Sequence, residues 1–152
     1  MTKLNLPQFD IRISKEGGKV MVLDFIRRKY VVLTPEEWVR QHFVNYLINH
    51  LKYPKSLFKV ESGLKFNKLN KRSDILIHDR QGKAWMLVEC KSPDIKLTQK
   101  AFNQIAVYNM TIGAKYLAVT NGMVHFCCEA GTSSVEPSFL ETFPEFDKDQ
   151  SF

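Results

Sequence analysis

An acid, Asp74, opens one apolar run, and an acid and a base two residues apart, Glu89 and Lys91, close the next. Between the runs lies a polar turn. With that turn over Arg80 to Lys83, Asp79 faces Ala84, and the antiparallel register carried back along the strands sets Asp74 opposite Glu89. Directly opposed residues on one face have Cβ atoms about 4.5–5.5 Å apart, and like charges there repel. Such a pair is stable where a cation sits between the carboxylates, or where one of them keeps its proton. The two-residue period of a strand puts Lys91 on the face of Glu89. The spacing therefore offers two carboxylates for a metal ion and an ammonium beside them. On a solvated edge, Glu89 and Lys91 would be a simple ion pair and Asp74 a turn residue. Trp85, Leu87 and Val88 instead mark a buried strand, where an unpaired carboxylate is costly.

Other elements must position these groups. Residues 11–32 read as a hairpin around Lys15-Glu16-Gly17-Gly18 and a further strand from Tyr30, an extension packed on the core. Thr34, Pro35 and Glu37 are the N-cap, first residue and capping-box acid of a helix that ends near Tyr53-Pro54. Its apolar stripe is Val39, Phe43, Tyr46, Leu47 and His50 or Leu51. Glu37 is expected to bond back to the cap. Glu36 projects from the end of the buried face, as a partner of the helix dipole or as a site residue. Leu57 to Glu61 is a short strand, which Leu64 to Phe66 extends or bends. From Lys52 to Arg72 there are seven bases and one acid, Glu61. Lys68, Lys71 and Arg72 lead directly into Asp74, so this segment is a phosphate-contacting loop or a solvated one.

Beyond Lys91, Ser92-Pro93 stops the strand, and Asp94 or Thr98 caps a second helix that runs to about Ile112 and Gly113. Phe102, Ile105, Ala106 and Ile112 face the sheet, and Gln104 and Tyr108 stand one turn apart. A strand from Lys115 to Thr120, a type I′ turn at Asn121-Gly122 and a return strand to Cys128 follow. The remainder is acidic and dotted with phenylalanine. Middle strands that are apolar on both faces need helices on both sides, which makes a three-layer α/β domain with a mixed sheet.

A chain of 152 residues is one ordinary domain. Its longest apolar runs fall well short of the ~20 residues that span a bilayer, and its N-terminus lacks the apolar region of a signal peptide. The three cysteines, Cys90, Cys127 and Cys128, cannot pair off, so reduced thiols in the cytoplasm are expected. The four histidines show no metal-ligand spacing and read as structural or surface groups. The net charge of +6 is uneven, because residues 135–152 hold five acids and one base. That leaves 21 bases against 11 acids in residues 1–134, a balance that suits a polyanion such as nucleic acid.

Asp74, the Glu89-Cys90-Lys91 triplet at the end of the next strand, and Gln104 and Tyr108 on the following helix resemble the PD-(D/E)XK nuclease superfamily. Gln-Ile-Ala-Val-Tyr (104–108) is similar to the Q-x-x-x-Y motif of its RecB-like branch. Leu-Thr-Pro-Glu-Glu-Trp-Val-Arg-Gln, Arg-Ser-Asp-Ile-Leu-Ile, Val-Glu-Cys-Lys-Ser-Pro and Val-Thr-Asn-Gly resemble the N-terminal nuclease domain of type I restriction enzyme R subunits, over roughly residues 30–128. The resemblance implies a restriction-endonuclease-like α/β/α core with a mixed central sheet at 34–128, behind a β-hairpin extension at 1–33 and before an acidic tail at 129–152. It implies Mg²⁺, with Mn²⁺ able to substitute, held by Asp74, Glu89, the backbone carbonyl of Cys90 and Glu36, with Glu37 the alternative first-helix acid. Lys91 would orient or help deprotonate the attacking water, and Gln104 and Tyr108 would hold the scissile strand, with Lys68, Lys71 and Arg72 on the DNA backbone. The activity implied is endonucleolytic hydrolysis of DNA; the alternative is an inactive module of the same fold that binds DNA or docks on a separate restriction or repair motor. Ser73 replaces the motif's proline, and the sequence holds no Walker A pattern, so a stand-alone nuclease-like protein or isolated domain is expected. Cutting both strands generally takes two active sites, which makes a homodimer a further expectation. No membrane association is expected.

Overall fold

The computed structural model describes residues 1–61, 74–132 and 134–146, with the backbone alone at Glu61 and Asp74. The chain begins with an arm that crosses the first helix: Trp38 Nε1 donates to Thr2 O, and Asn5 N donates to Gly122 O. Strands β1 (Ile13–Glu16), β2 (Lys19–Asp24) and β3 (Lys29–Val32) then form an antiparallel sheet of their own. Helix α1 (Pro35–Asn45) follows and runs on as a π-helical turn, Tyr46–His50. After β4 (Phe58–Glu61), β5 (Asp74–His78) and β6 (Ala84–Cys90) comes helix α2 (Gln99–Ile112), then β7 (Tyr116–Thr120), β8 (His125–Glu129) and β9 (Ser138–Leu140).

The strands β4 to β9 lie side by side in sequence order. Every neighbouring pair is antiparallel except β6 and β7, which are parallel. A parallel pair needs a crossover, and α2 supplies it. The alternation along the strands divides the core in two. Ile75, Ile77, Met86, Val88, Cys90, Ala118 and Cys127 pack with Val39, Phe43 and Leu47 of α1 and its extension. Leu76, Leu87, Leu117, Val119 and Cys128 pack with Ala101, Phe102 and Ile105 of α2. The sheet is thus covered by one helix on each face, the three-layer arrangement expected from its doubly apolar strands.

Several details depart from the sequence pattern. The β5–β6 turn is one residue tighter than expected, and His78, not Asp79, faces Ala84. Asp79 Oδ1 accepts from the backbone of Gln81 and Lys83, and Gly82 takes the left-handed conformation (φ +83°) that closes a three-residue loop. A bulge next to Ile77 then absorbs one residue, so Trp85 and Met86 both enter the α1-side core and the register returns. The β7–β8 turn is not type I′, since Asn121 has no positive φ and Thr120 pairs with His125 across a four-residue loop. Ala106 is exposed, because the buried stripe of α2 follows Ala101, Phe102 and Ile105 and leaves its position at the rim. The acidic tail is part of the body: β9 joins the sheet, and Phe143 and Phe146 pack on the α1-side core. The expected extension over 64–66 lies outside the described residues. No described helix is long and apolar enough to cross a membrane.

Phe43 is fully buried and stacks edge-on against Phe143, 5.3 Å between ring centroids, which joins α1 to the C-terminal segment. Phe43→Ala leaves a cavity that this rigid contact cannot close. Urea unfolding of the variant should show a loss of about 3–5 kcal/mol.

Candidate functional site

The register settles where the opening pair of acids sits. Asp74, the first residue of β5, is paired with Glu89 of β6, and Glu61 of β4 is paired with Asp74 on its other side. Glu89 is only 3% exposed, and Lys91 Nζ stands 3.2 Å from its Oε1. Residue parity puts both on the α2 side of the sheet, since Leu87 packs there and Val88 and Cys90 pack toward α1. Asp74, Glu89 and Lys91 all lie at one end of the sheet, where the parallel strands β6 and β7 finish together. Such an end is where open α/β sheets place their ligand crevices.

The strand end is held from both sides. Lys91 N donates to Thr120 O at 2.8 Å. Asn121, the next residue of that neighbouring strand, is buried and reaches back: its Nδ2 donates to Ile95 O at 2.8 Å. Its Oδ1 accepts from the backbone N–H groups of Met123 and Val124. One amide therefore ties the loop after Lys91 to the turn after β7. Sequence reasoning took Asn121 for a turn residue within the Val-Thr-Asn-Gly resemblance and gave it no structural task; the available signal was its place directly after the strand parallel to that of Glu89. On α2, Tyr108 is half-buried against the α2-side core, and Gln104 lies one turn nearer the N-cap Thr98. Both are on the helix that covers the face of Glu89.

The two glutamates of α1 have separate environments. Thr34 Oγ1 caps the helix by accepting from Glu37 N at 3.1 Å. The Glu37 side chain does not complete a capping box among the described bonds. Its Oε1 takes Arg40 Nη2 at 2.8 Å and Arg27 Nη2 at 3.0 Å, and its Oε2 takes Gln41 Nε2 at 3.4 Å. Arg27 Nε in turn meets Asp24 Oδ2 at 2.7 Å. Through these described bonds Asp24, Arg27, Glu37 and Arg40 are joined in a network that fastens the β2–β3 turn to the start of α1. Burial alone would raise the Asp24 carboxyl, but the backbone and guanidinium bonds of Arg27 outweigh it and hold the acid below its ordinary value. Glu36 is exposed, in a cleft of about 540 Å³ whose walls include Val32, Thr34, Arg40 and Ser92. Since Ser92 follows Lys91, this cleft brings Glu36 to the same end of the sheet from the α1 side.

The side chain of Asp74 and the whole of Lys68, Lys71 and Arg72 lie outside the described residues. Among the described side chains, no group of three or more His, Cys, Asp or Glu is arranged to hold a metal ion. The Cys90 side chain is buried in the α1-side core, which leaves only its backbone carbonyl for such a role.

Comparison with known proteins bears on residues 35–144, which match the family model of the type I restriction enzyme R protein N terminus. The chain belongs to this family. No curated protein matches it. The match begins at the first residue of α1 and ends beyond β9, so it holds Glu36, Asp74, Glu89, Lys91, Gln104 and Tyr108, and leaves the β1–β3 sheet outside. A domain of this restriction-enzyme family is nuclease-like, and its matched region extends past the residue 128 at which the sequence resemblance stopped.

Two outcomes follow from the buried polar groups. Removing one charge from a buried network strands its partners, so Glu37→Gln should lower stability by about 3–5 kcal/mol in chemical unfolding, while Glu36→Gln leaves it near wild type. The second concerns acid. Burial pushes the imidazoles of His42 and His125 down; His42 Nδ1 donates to Trp38 O, and His125 Nε2 to Asn5 O. Both rings bind their proton less readily folded than unfolded, so their contribution is full above the unfolded value of about 6.5 and is lost as pH falls below it. Asp24 adds the same sign of effect further down, below about 3.9. Thermal melting from pH 8 to pH 5 should show Tm falling below about 6.5, less steeply in His42→Gln.

Proposed function

We propose that the chain is a metal-dependent nuclease domain that hydrolyses phosphodiester bonds of DNA. The observation that carries this reading is the pairing of Asp74 with Glu89, with the Lys91 ammonium 3.2 Å from Glu89 Oε1, inside the family-matched region. Two opposed carboxylates and one ammonium leave a net charge of about −1, a fit for a small divalent cation that prefers oxygen ligands. Asp74, Glu89, the Cys90 carbonyl and Glu36 are the groups that would hold Mg²⁺, or Mn²⁺ in its place. Such an ion supplies Lewis acidity, making water a stronger nucleophile and offsetting charge on the phosphate.

The chain's own residues do the rest. Glu89, buried beneath α2, offers a carboxylate whose direction the sheet fixes. Lys91 is poised by its bond to Glu89 and, at 27% exposure, open enough to reach a phosphate oxygen. There its positive charge stabilises the pentavalent oxyanion as the water oxygen bonds to phosphorus and the ester oxygen leaves. Its N–H groups can also orient the attacking water. Gln104 and Tyr108 would hold the scissile strand over that face. The preference for Glu36 over Glu37 as the first-helix acid rests on the salt-bridge network, which already employs both oxygens of Glu37.

Supercoiled and linear DNA incubated with the protein and Mg²⁺ or Mn²⁺ should be nicked or cut. Lys91→Ala should slow cleavage by about 100-fold or more, on the scale of losing one group that meets developing charge. Equal cleavage by Lys91→Ala, or none by wild type, would overturn the catalytic reading. Calorimetric titration with Mn²⁺ is the second arm, in which Asp74→Ala should lose the binding heat.

A further inference from the structure

The β1–β3 sheet precedes the matched region, and the nuclease reading leaves it without a task. Its two faces differ. On one, Val22 and Asp24 are buried, at 0% and 1% exposure, while Ile13 and Val20 of the hairpin are exposed. On the other, the register builds two rows across the three strands. Ser14, Met21 and Val32 make one row, and Arg12, Leu23 and Tyr30 make the next. Tyr30 and Val32 are 40% and 44% exposed. Met21 and Leu23 between them are half-buried, and among the described residues no helix or strand packs over this side, which carries an aromatic ring.

We propose that this face is a platform for a single-stranded stretch of nucleic acid adjoining the cleft of Glu36. Two observations choose that occupant. The first is charge: Arg12, Lys19 and Arg28 are exposed about this face, with Lys15 and Lys29 on the opposite side of the same strands, against the exposed acids Asp10 and Glu16. Glu16 is paired with Lys19 at the hairpin tip, so the cations of the far end, Arg12 and Arg28, are those best placed for phosphate. A second copy of the chain would bring the same positive charge against this rim, whereas a polyanion is attracted to it. The second is continuity. Val32 belongs both to the apolar row and to the wall of the cleft that holds Glu36, so a strand lying on the sheet leads into the candidate site. An exposed tyrosine in one row with an arginine suits a strand laid across the sheet, its base stacked on the ring and its backbone held by the guanidinium. A duplex keeps its bases stacked on each other and offers Tyr30 no ring to cover.

This inference extends the nuclease reading, and its test does not depend on cleavage. Fluorescence anisotropy of the full chain with a labelled oligothymidylate, in EDTA, measures binding alone. Tyr30→Ser should weaken single-strand binding by about tenfold, the effect of one lost base–aromatic stack. Tyr30→Phe should retain it, and duplex binding should change less. Arg12→Ala should reduce the slope of log K against log salt by about 0.7, the release accompanying one phosphate contact on a single strand. Thermal melting of each variant confirms that the fold is kept. Unchanged single-strand binding by Tyr30→Ser would overturn the platform. So would sedimentation showing a wild-type dimer that Tyr30→Ser dissociates, since a second copy would then cover the face. Loss of cleavage in Lys91→Ala with unchanged binding in Tyr30→Ser would leave the nuclease reading standing without the platform; the converse pair of results would do the reverse.

Discussion

Two acidic residues paired at the end of an antiparallel ladder are a constraint on everything around them. Asp74 and Glu89 are fixed there by the backbone ladder, and α2 lies over the face on which Glu89 is buried. Glu89, at 3% exposure, cannot turn away into water without abandoning its strand. Compensation must come to its carboxylate, and the chain supplies it with Lys91, two residues on along the same face. The parallel partner β7 makes that arrangement possible. It requires the α2 crossover, and its last residue, Thr120, and the following Asn121 take up the backbone of Lys91 and Ile95 and pin the strand end.

Charge at the first helix is handled the opposite way. Adjacent glutamates sit in the first turn of α1, where the helix dipole favours both. Glu37 is turned inward and neutralised by Arg27 and Arg40, so it is a clamp between the small sheet and the helix. Glu36, one residue earlier and about 100° around the helix, faces the cleft. The separation is a consequence of helical geometry: one acid at that turn can be buried only if its neighbour is not.

Much of this was legible in residue types, for identifiable reasons. The Asp74–Glu89 pairing follows from the strand period, and burial on both faces follows from uninterrupted apolar residues in β5 and β6. The bulge beside Ile77 was not legible, because it depends on Asp79 folding its carboxylate into the turn, and the tighter turn and the bulge offset each other in the register. One partner of Glu37 was hidden for a different reason: Arg27 lies ten residues away, in a turn of a separate sheet. Ala106 was misplaced because alanine is equally at home on either side of a helix. Strand β9, three residues long, is too short to leave a periodic trace, and only its pairing with β8 reveals that the acidic segment belongs to the sheet.

The salt-bridge network also decides how the small sheet can matter to the site. A β-meander of three short strands is marginal alone, and its Val22 and Asp24 must be buried against something. Asp24 closes the β2–β3 turn by accepting from Ile26 and Arg27, and Arg27 carries that turn to Glu37 in the first turn of α1. From Glu37 the rigid link is one residue to Glu36 and three to Arg40, both walls of the same cleft. The exposed face with Tyr30 and the cleft with Glu36 are therefore parts of one body, joined by charged groups that cannot separate without exposing a buried ion. A strand held on the sheet would be held in fixed relation to Glu36, and positioning of that kind is what a metal-assisted hydrolysis needs from its protein.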